Sequence, residues 1–479
     1  MKHHISRACI ALAVICGLAV AACAEEQPAL PPLQLDQLIQ SALSDNQALK
    51  ALRSRIDADA AKVPQAGALP DPQVGVMLNN GLQTDGAQLT AKQMFPGAGK
   101  LRLMKQVAGL EAERTVTDYT ERMRDVTAQV KTAYCDLYFI DKATEIALAN
   151  KSLLADFVKI AETRYSTGEG LQQDVLRAQL AQSRMLDDLL MLRQQRAAAE
   201  ARLNALLNRP PTAPVGPVAT LDRHRIATTE SQLQEIALAN RAMLKGMQIM
   251  AQAAETEQAL ARRQLRPDYE VQASVTPVGS GMNQDTGAGT GQWSVGVMLT
   301  LPLYHRTKQD KEIEQRGHEA AAAESDYEAQ KTMVFATIRD NLSMLERAER
   351  QIELYRTGII PQAELSLESA RAGYQVNKVD FLTLLDNQMS VYGYLRDYYS
   401  ALADHEKTLA ALEQTVGAPL AVTAAPAELQ PASRPAPALK RSSGTAKSQT
   451  GGVAPGADKT KSASKAPRTG ARGAAKVKR

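Results

Sequence analysis

Few side chains in this sequence are spaced for covalent or metal chemistry. Six histidines occur, and His3 and His4 sit at the extreme N-terminus. The other four, His224, His305, His318 and His405, show no ligand spacing of the kind a zinc-protease helix carries. There is no Gly-rich phosphate loop and no Cys-x-x-Cys pair. Of the four cysteines, Cys9 and Cys16 lie in an N-terminal apolar run and Cys23 follows it. Cys135 then stands alone, so no internal disulfide framework is possible, and it reads as a small apolar packer on a helix. Met243, Met247 and Met250 share one helical face, a pattern soft metals use. Methionine at that spacing ordinarily fills a core. The expectation is a chain with no catalytic residue, no resident metal and no cofactor.

The N-terminus carries processing chemistry instead. Lys2 and Arg7 precede an apolar run from Ala8 to Ala22. That run is too short to cross a bilayer, so residues 1–23 read as a signal peptide and the mature chain leaves the cytoplasm. Two cleavage readings are open. Val20-Ala21-Ala22-Cys23 fits a lipoprotein pattern with Cys23 lipidated; Ala22-Cys23-Ala24 fits ordinary cleavage before Glu25.

The formal net charge of +4 hides two parts. From Arg434 to Arg479 there are 12 Lys/Arg and one acidic residue, Asp458, so this stretch carries +11 and the rest sums to −7. Residues 421–479 are rich in Ala, Gly, Ser, Thr, Pro and Lys, cannot bury enough surface to offset ordering entropy, and read as a disordered basic tail. Either it is merely solvated or it touches an anionic surface such as lipid head groups; nucleic acid is a poor fit for an exported chain.

The elements between these ends are unusual. Aromatics are only 4%, with one tryptophan, and no proline interrupts residues 97–209. Gly168 and Gly170 split that stretch into helices over 101–166 and 171–208, the first about 100 Å long at 1.5 Å per residue. Further helices are expected over 229–265, from Lys308 to Arg356 with a pause near Gly358 and Pro361 and a continuation to Arg371, and over 379–416. Residues 71–95 and 268–303 alternate at strand period around Asn/Gly/Asp-rich turns and read as two β-hairpins. Strands of this length suit a transmembrane barrel. Four strands cannot close one, because open edges are not tolerated in hydrocarbon; three copies would supply twelve.

The chain also repeats itself. Ala42–Lys50 answers Ala237–Lys245, Pro70-Asp71 answers Pro267-Asp268, Phe95-Pro96 answers Leu301-Pro302, and Tyr165 and Gln179 answer Tyr374 and Gln388. Two units follow, 24–228 and 229–420, each a helix–hairpin–helix–helix module. The fold class is mainly α with a small β part and an internal duplication.

With these residues in hand, the chain resembles the TolC-like outer membrane factors from Leu35 to Val416. Gln93–Leu101, Arg164–Gly170 running into Gln173–Gln179, and Ile359–Ala363 look most like the heavy-metal branch, the CzcC- and CusC-type proteins. Gly97-Ala98 interrupts the usual aromatic–Pro–Gly–Lys run. The resemblance implies a homotrimer with a twelve-stranded barrel in outer-membrane lipid and a long α-helical barrel in the periplasm. It implies a periplasmic adaptor and an inner-membrane RND-type pump as partners. It makes the turns at Tyr165, Gly168, Gly170 and at Gly373, Tyr374, Lys378 the adaptor-docking tips. Asp386 then falls on one of two gate aspartates and Thr383 on the other; a solvated helix carboxylate is the plainer reading of Asp386. Arg164, Arg177 and Lys378 are candidate tethers between protomers. The implied function is passive conduction, with heavy-metal cations as cargo, or alternatively drugs or secreted protein. An exported coiled-coil spacer or adaptor is the rival of another class, and the hairpins argue against it.

Overall fold

The computed structural model describes residues 31–79, 86–218, 220–276 and 292–425. The signal peptide, Cys23, both hairpin turns and the basic tail beyond residue 425 lie outside the described residues. The order is α1 (Leu35–Asp45), α2 (Gln47–Gly67), β1 (Gln73–Asn79), β2 (Gly86–Phe95), α3 (Lys100–Ser166) and α4 (Gln172–Leu206). After β3 (Arg223–Ile226) the plan recurs as α5 (Glu230–Asn240), α6 (Ala242–Arg263), β4 (Asp268–Thr276), β5 (Gln292–Thr300), α7 (Gln309–Leu354), α8 (Ile360–Gln375) and α9 (Phe381–Val416). A short β6 (Val422–Ala425) ends the described chain.

Several expectations shift in detail. The helix expected over 229–265 is two helices, broken at Arg241, which adopts an extended backbone. Asn46 breaks α1 from α2 at the equivalent point and caps the second helix, accepting from the N–H groups of Ala48 and Leu49. The expected pause near Gly358 is a π-helical turn, Tyr355–Ile359, which carries α7 into α8 without a break. Val422–Ala425, part of the tail expected over 421–479, pair antiparallel with β3, a sheet too short to show a period-2 signal.

The helices pack lengthwise, α3 against α2, α4, α6 and α9, and α9 also against α7 and α8. Three apolar clusters hold them. One, around Leu137, Tyr138, Tyr398 and Leu402, lies midway along α3. A second, around Leu154, Met185 and Phe381, lies toward the α3–α4 turn. A third, around Leu233, Leu244, Ile338 and Leu412, joins α5, α6 and α7 to α9 within the second repeat. Alanine is frequent at the contacts, which lets long helices approach closely at little side-chain entropy cost. Cys135 is buried there, and burial pushes its thiol well above the ordinary range, so it is a packer and not a nucleophile.

Helix and sheet meet at a buried ion pair. Lys100, the first residue of α3, places Nζ 2.8 Å from Asp268 Oδ1, the first residue of β4. Asp268 Oδ1 also accepts from the Gly97 N–H at 2.6 Å. A Cβ at Gly97 would stand 2.9 Å from the Pro267 carbonyl, so only glycine allows this approach. The pair thus ties the end of the first hairpin to the start of the second.

A second polar knot holds the middle of the molecule. Glu406 on α9 accepts from the His224 N–H at 2.9 Å, and its two oxygens lie 2.9 Å from His224 Nδ1 and His405 Nδ1. His405 is fully buried, and its Nε2 lies 3.7 Å from Glu349 of α7. Burial alone would push the Glu406 carboxyl up, but the hydrogen bonds from His405 and His224 outweigh it and hold the group below the ordinary range. A carboxyl depressed on folding stabilises above its ordinary value, about 4.3, and loses that contribution as pH falls through the folded value.

Two outcomes follow for stability. Lys100→Met should lower unfolding free energy by about 2 kcal/mol in urea titrations in detergent. That is less than the roughly 3–5 kcal/mol of a fully buried pair, because the Asp268 side chain is 29% exposed. Glu406→Gln should melt earlier than wild type at pH 7, and the gap should narrow as pH is lowered past the carboxylate range. A gap that widens in acid would reverse the sign assigned to Glu406.

Candidate functional site: a two-faced sheet and paired helix tips

The hairpins join into one antiparallel sheet in the order β1-β2-β4-β5. Its register sorts side chains by face. One face carries Val76–Leu89–Val275–Trp293 across the four strands, then Val74–Ala91–Ala273–Val295, and Phe95–Tyr269–Leu299 near the helices. The other carries Gly75–Thr90–Ser274–Ser294, Gln73–Lys92–Gln272–Gly296 and Met94–Glu270–Met298.

Burial runs opposite to that of a globule. Val74 and Trp293 are each 77% exposed, whereas Ser274 is 7% exposed. Along β4 the polar residues are the less exposed ones, as on the inside of a curved sheet. They bond to each other there: Gln88 Nε2 donates to Ser274 Oγ at 3.1 Å, the Ser274 and Ser294 hydroxyls lie 2.7 Å apart, and Lys92 pairs with Glu270 at 3.6 Å. Outside, Phe95 and Tyr269 lie at one end of the apolar face and Trp293 at the other, about 20 Å apart at strand rise. An outward apolar band bounded by aromatics, backed by a polar inner face, is what a strand needs between lipid and water. β1 and β5 each have one unpaired edge among the described residues. None of the described helices is long and apolar enough to cross a membrane.

At the far end of the helices lie the two turns. Gly168 has φ +76°, and Asn377, its equivalent in the second repeat, has φ +57°. In the first turn the Glu169 N–H donates to the Arg164 carbonyl at 2.9 Å, and in the second the Lys378 N–H donates to Gly373 at 2.9 Å. Sequences that differ therefore fold into one turn, ended by residues that accept a left-handed backbone. Asp380 then caps α9, accepting from the Thr383 backbone N–H and hydroxyl. The Thr383 hydrogen bond is the main cause holding the Asp380 carboxyl below its ordinary range.

Arg164 joins the turns. Its guanidinium lies 4.3 Å from the Tyr374 ring centroid, donates to Asn377 Oδ1 at 2.9 Å and to the Gln375 carbonyl at 3.3 Å. Arg164, a candidate tether between protomers on sequence, makes these contacts within its own chain. The tyrosines of the two turns differ: Tyr374 is 7% exposed, against this guanidinium and the Phe381 ring 5.7 Å away, whereas Tyr165 is 50% exposed. Gly170 and Lys378 sit in their turns, Lys378 exposed. Asp386 and Thr383 are exposed on α9, and Asp386 forms no ion pair among the described residues. In the first repeat its position is taken by Arg177, so the repeats carry opposite charge at this level.

Sequence reasoning missed the Arg164 contacts and the His224–Glu406–His405 knot, because neither has a spacing signature. It placed Met243, Met247 and Met250 on a helix, and of these Met243 packs against the third cluster. Among the described residues no group of His, Cys, Asp and Glu is arranged to hold a metal ion.

Arg164→Ala should loosen the second turn. Losing the ring contact and hydrogen bonds, about 1–2 kcal/mol together, should speed amide exchange over residues 373–380 by roughly 5- to 30-fold. Exchange unchanged by the substitution would mean that Arg164 does not hold the turn.

Comparison with known proteins bears on the same features. The cobalt-zinc-cadmium resistance protein CzcC of Cupriavidus metallidurans is 20% identical over 382 residues, covering 75% of this chain and 84% of that protein. The crystal structure of CusC, described with its conformational changes accompanying folding and transmembrane channel formation, superposes with a TM-score of 0.71 at 16% identity, over 80% of this chain and 92% of that one. The outer membrane protein VceC of Vibrio cholerae gives a TM-score of 0.68 at 19% identity, over 80% and 96%. The outer membrane efflux protein profile matches residues 38–209 and 233–418, the two repeats in turn. A duplicated chain that matches this profile twice and folds with an inside-out sheet belongs to the outer membrane efflux protein family.

Proposed function

We propose that the chain acts as a homotrimer, the exit duct through which a tripartite system expels heavy-metal cations. As a family member it is an efflux channel of the outer membrane with a large helical portion in the periplasm, and not an enzyme. The trimer is the finer step. The observation that carries it is the two-faced sheet with free edges. A lone four-stranded sheet would leave two rows of backbone N–H and C=O groups in hydrocarbon, and pairing β1 of one copy with β5 of the next would remove them.

In this reading cargo enters at the helix tips. Tyr165, Gly168, Gly170, Gly373, Tyr374 and Lys378 form the surface offered to a periplasmic adaptor, which connects the duct to an inner-membrane RND-type pump. Asp386, exposed and unpaired near that end, supplies one carboxylate per copy to a ring that favours cations. Thr383 lies one turn nearer the tip on the same face. The relation to CzcC, a cobalt-zinc-cadmium resistance protein, supports metal cations as the cargo.

The test is mass photometry with planar-bilayer recording on wild type and Asp386→Ala. A trimer of small, cation-selective conductance, rising several-fold with weaker selectivity in the variant, is expected. A trimer indifferent to the substitution would remove Asp386 from the gate. A monomer that never conducts would overturn the duct itself.

A further inference from the structure

The inner face of the sheet holds few charges, and they cancel. Among the described residues its rows carry glutamine, serine, threonine, methionine and glycine, with three charged side chains, Lys92, Asp268 and Glu270. Each carboxylate has a lysine. Asp268, at the junction with the helices, is matched by Lys100 at 2.8 Å. Glu270, one row further into the sheet, is matched by Lys92 at 3.6 Å.

The Lys92–Glu270 pair differs in kind from the pair at the junction. Lys92 stands opposite Gln272 and Glu270 opposite Met94, so the contact runs diagonally between β2 and β4. The two side chains are 38% and 25% exposed, and in that setting an ion pair adds little to stability. Its effect is on the field. A lone carboxylate in a water-filled lumen is felt over about a Debye length, roughly 10 Å at 0.1 M salt. Two opposite charges 3.6 Å apart form a dipole instead, and its field dies away faster. Both partners belong to one chain, so the cancellation holds for every copy in a ring.

We propose that the sheet section of the duct does not sort ions by the sign of their charge, and that Lys92 makes it so by cancelling Glu270. Cations, anions and uncharged solutes of fitting size cross this section alike, and a preference for cations is set elsewhere along the duct, as at Asp386. This rests on the sheet being the wall of the duct, a point the experiment reads separately.

Gly296→Cys supplies a local probe. Gly296 lies in the same row as Lys92, one diagonal step from Glu270, and a Cβ there meets nothing within 4 Å. Cys135 is buried with its thiol pushed up, so it adds little background, and the chain without Gly296→Cys serves as the blank. Purified protein in detergent would be treated at low salt with a cationic and an anionic methanethiosulfonate of similar size. The ratio of the two rates, relative to a free thiol, reads the local potential. With Lys92 and Glu270 both present the ratio should lie within about twofold of the free thiol. Lys92→Met should raise it and Glu270→Gln lower it, by about 3- to 10-fold each. The double variant should return near the start, and both shifts should vanish at 1 M salt, where the Debye length is about 3 Å. A Gly296→Cys chain that already favours the cationic reagent several-fold, or single substitutions that leave the ratio in place, would overturn the proposal and leave the duct standing. Val295→Cys, on the opposite face, tests the frame. If it reacts fast while Gly296→Cys reacts with neither reagent, the faces are reversed and the duct reading falls with the proposal.

Discussion

A peptide group in hydrocarbon has no water to bond with, and that constraint organises this molecule. It explains why the sheet is turned inside out, with Val74 and Trp293 facing outward and Ser274 and Ser294 bonded together on the inner face. It explains why the described strands are few and the helices many. Each helix satisfies its own backbone, so α3 can run 67 residues in water while the sheet depends on neighbours for its edges. The Lys100–Asp268 pair lies where the two regimes meet, and there a largely buried charge pair is tolerated because Gly97 adds a second hydrogen bond to the same carboxylate.

Duplication supplied the plan, and single residues then distinguished its halves. Both repeats break their first helix at an extended residue, Asn46 and Arg241, and both end their long hairpin in one kind of turn. Arg164 stands where the second repeat has Gly373, and Arg177 where it has Asp386. One tyrosine is buried and its twin exposed, and the charge near the tips is reversed between the repeats. Such differences suit a chain whose halves face different neighbours.

Much of the fold was legible because its signals are long. A proline-free stretch divided by two closely spaced glycines sets the bounds of α3 and α4 within two residues, and period-2 alternation located the two hairpins. Short or non-local features were not legible. β3 and β6 are four residues each and come from distant parts of the chain. The break at Arg241 lies inside an otherwise helical pattern, and only its likeness to Asn46 marks it. The contacts of Arg164 and of Glu406 join residues about 210 and 180 positions apart, which no local periodicity reports. The tips were identifiable by their glycines, whereas the bond that joins them was not.

The π-helical turn at Tyr355–Ile359 has a consequence for how the two halves relate. A π turn takes one residue more than an α turn, so everything after it is advanced by one position, about 100° around the helix axis. α3 has no such turn and keeps its phase from Lys100 to Ser166. The second repeat thus takes up an extra residue inside a continuous helix where the first repeat takes up none. The halves of the duplicated chain are therefore alike in plan and distinct in the detail of their long helices. A ring built from such chains has the symmetry of whole chains and not of their repeats.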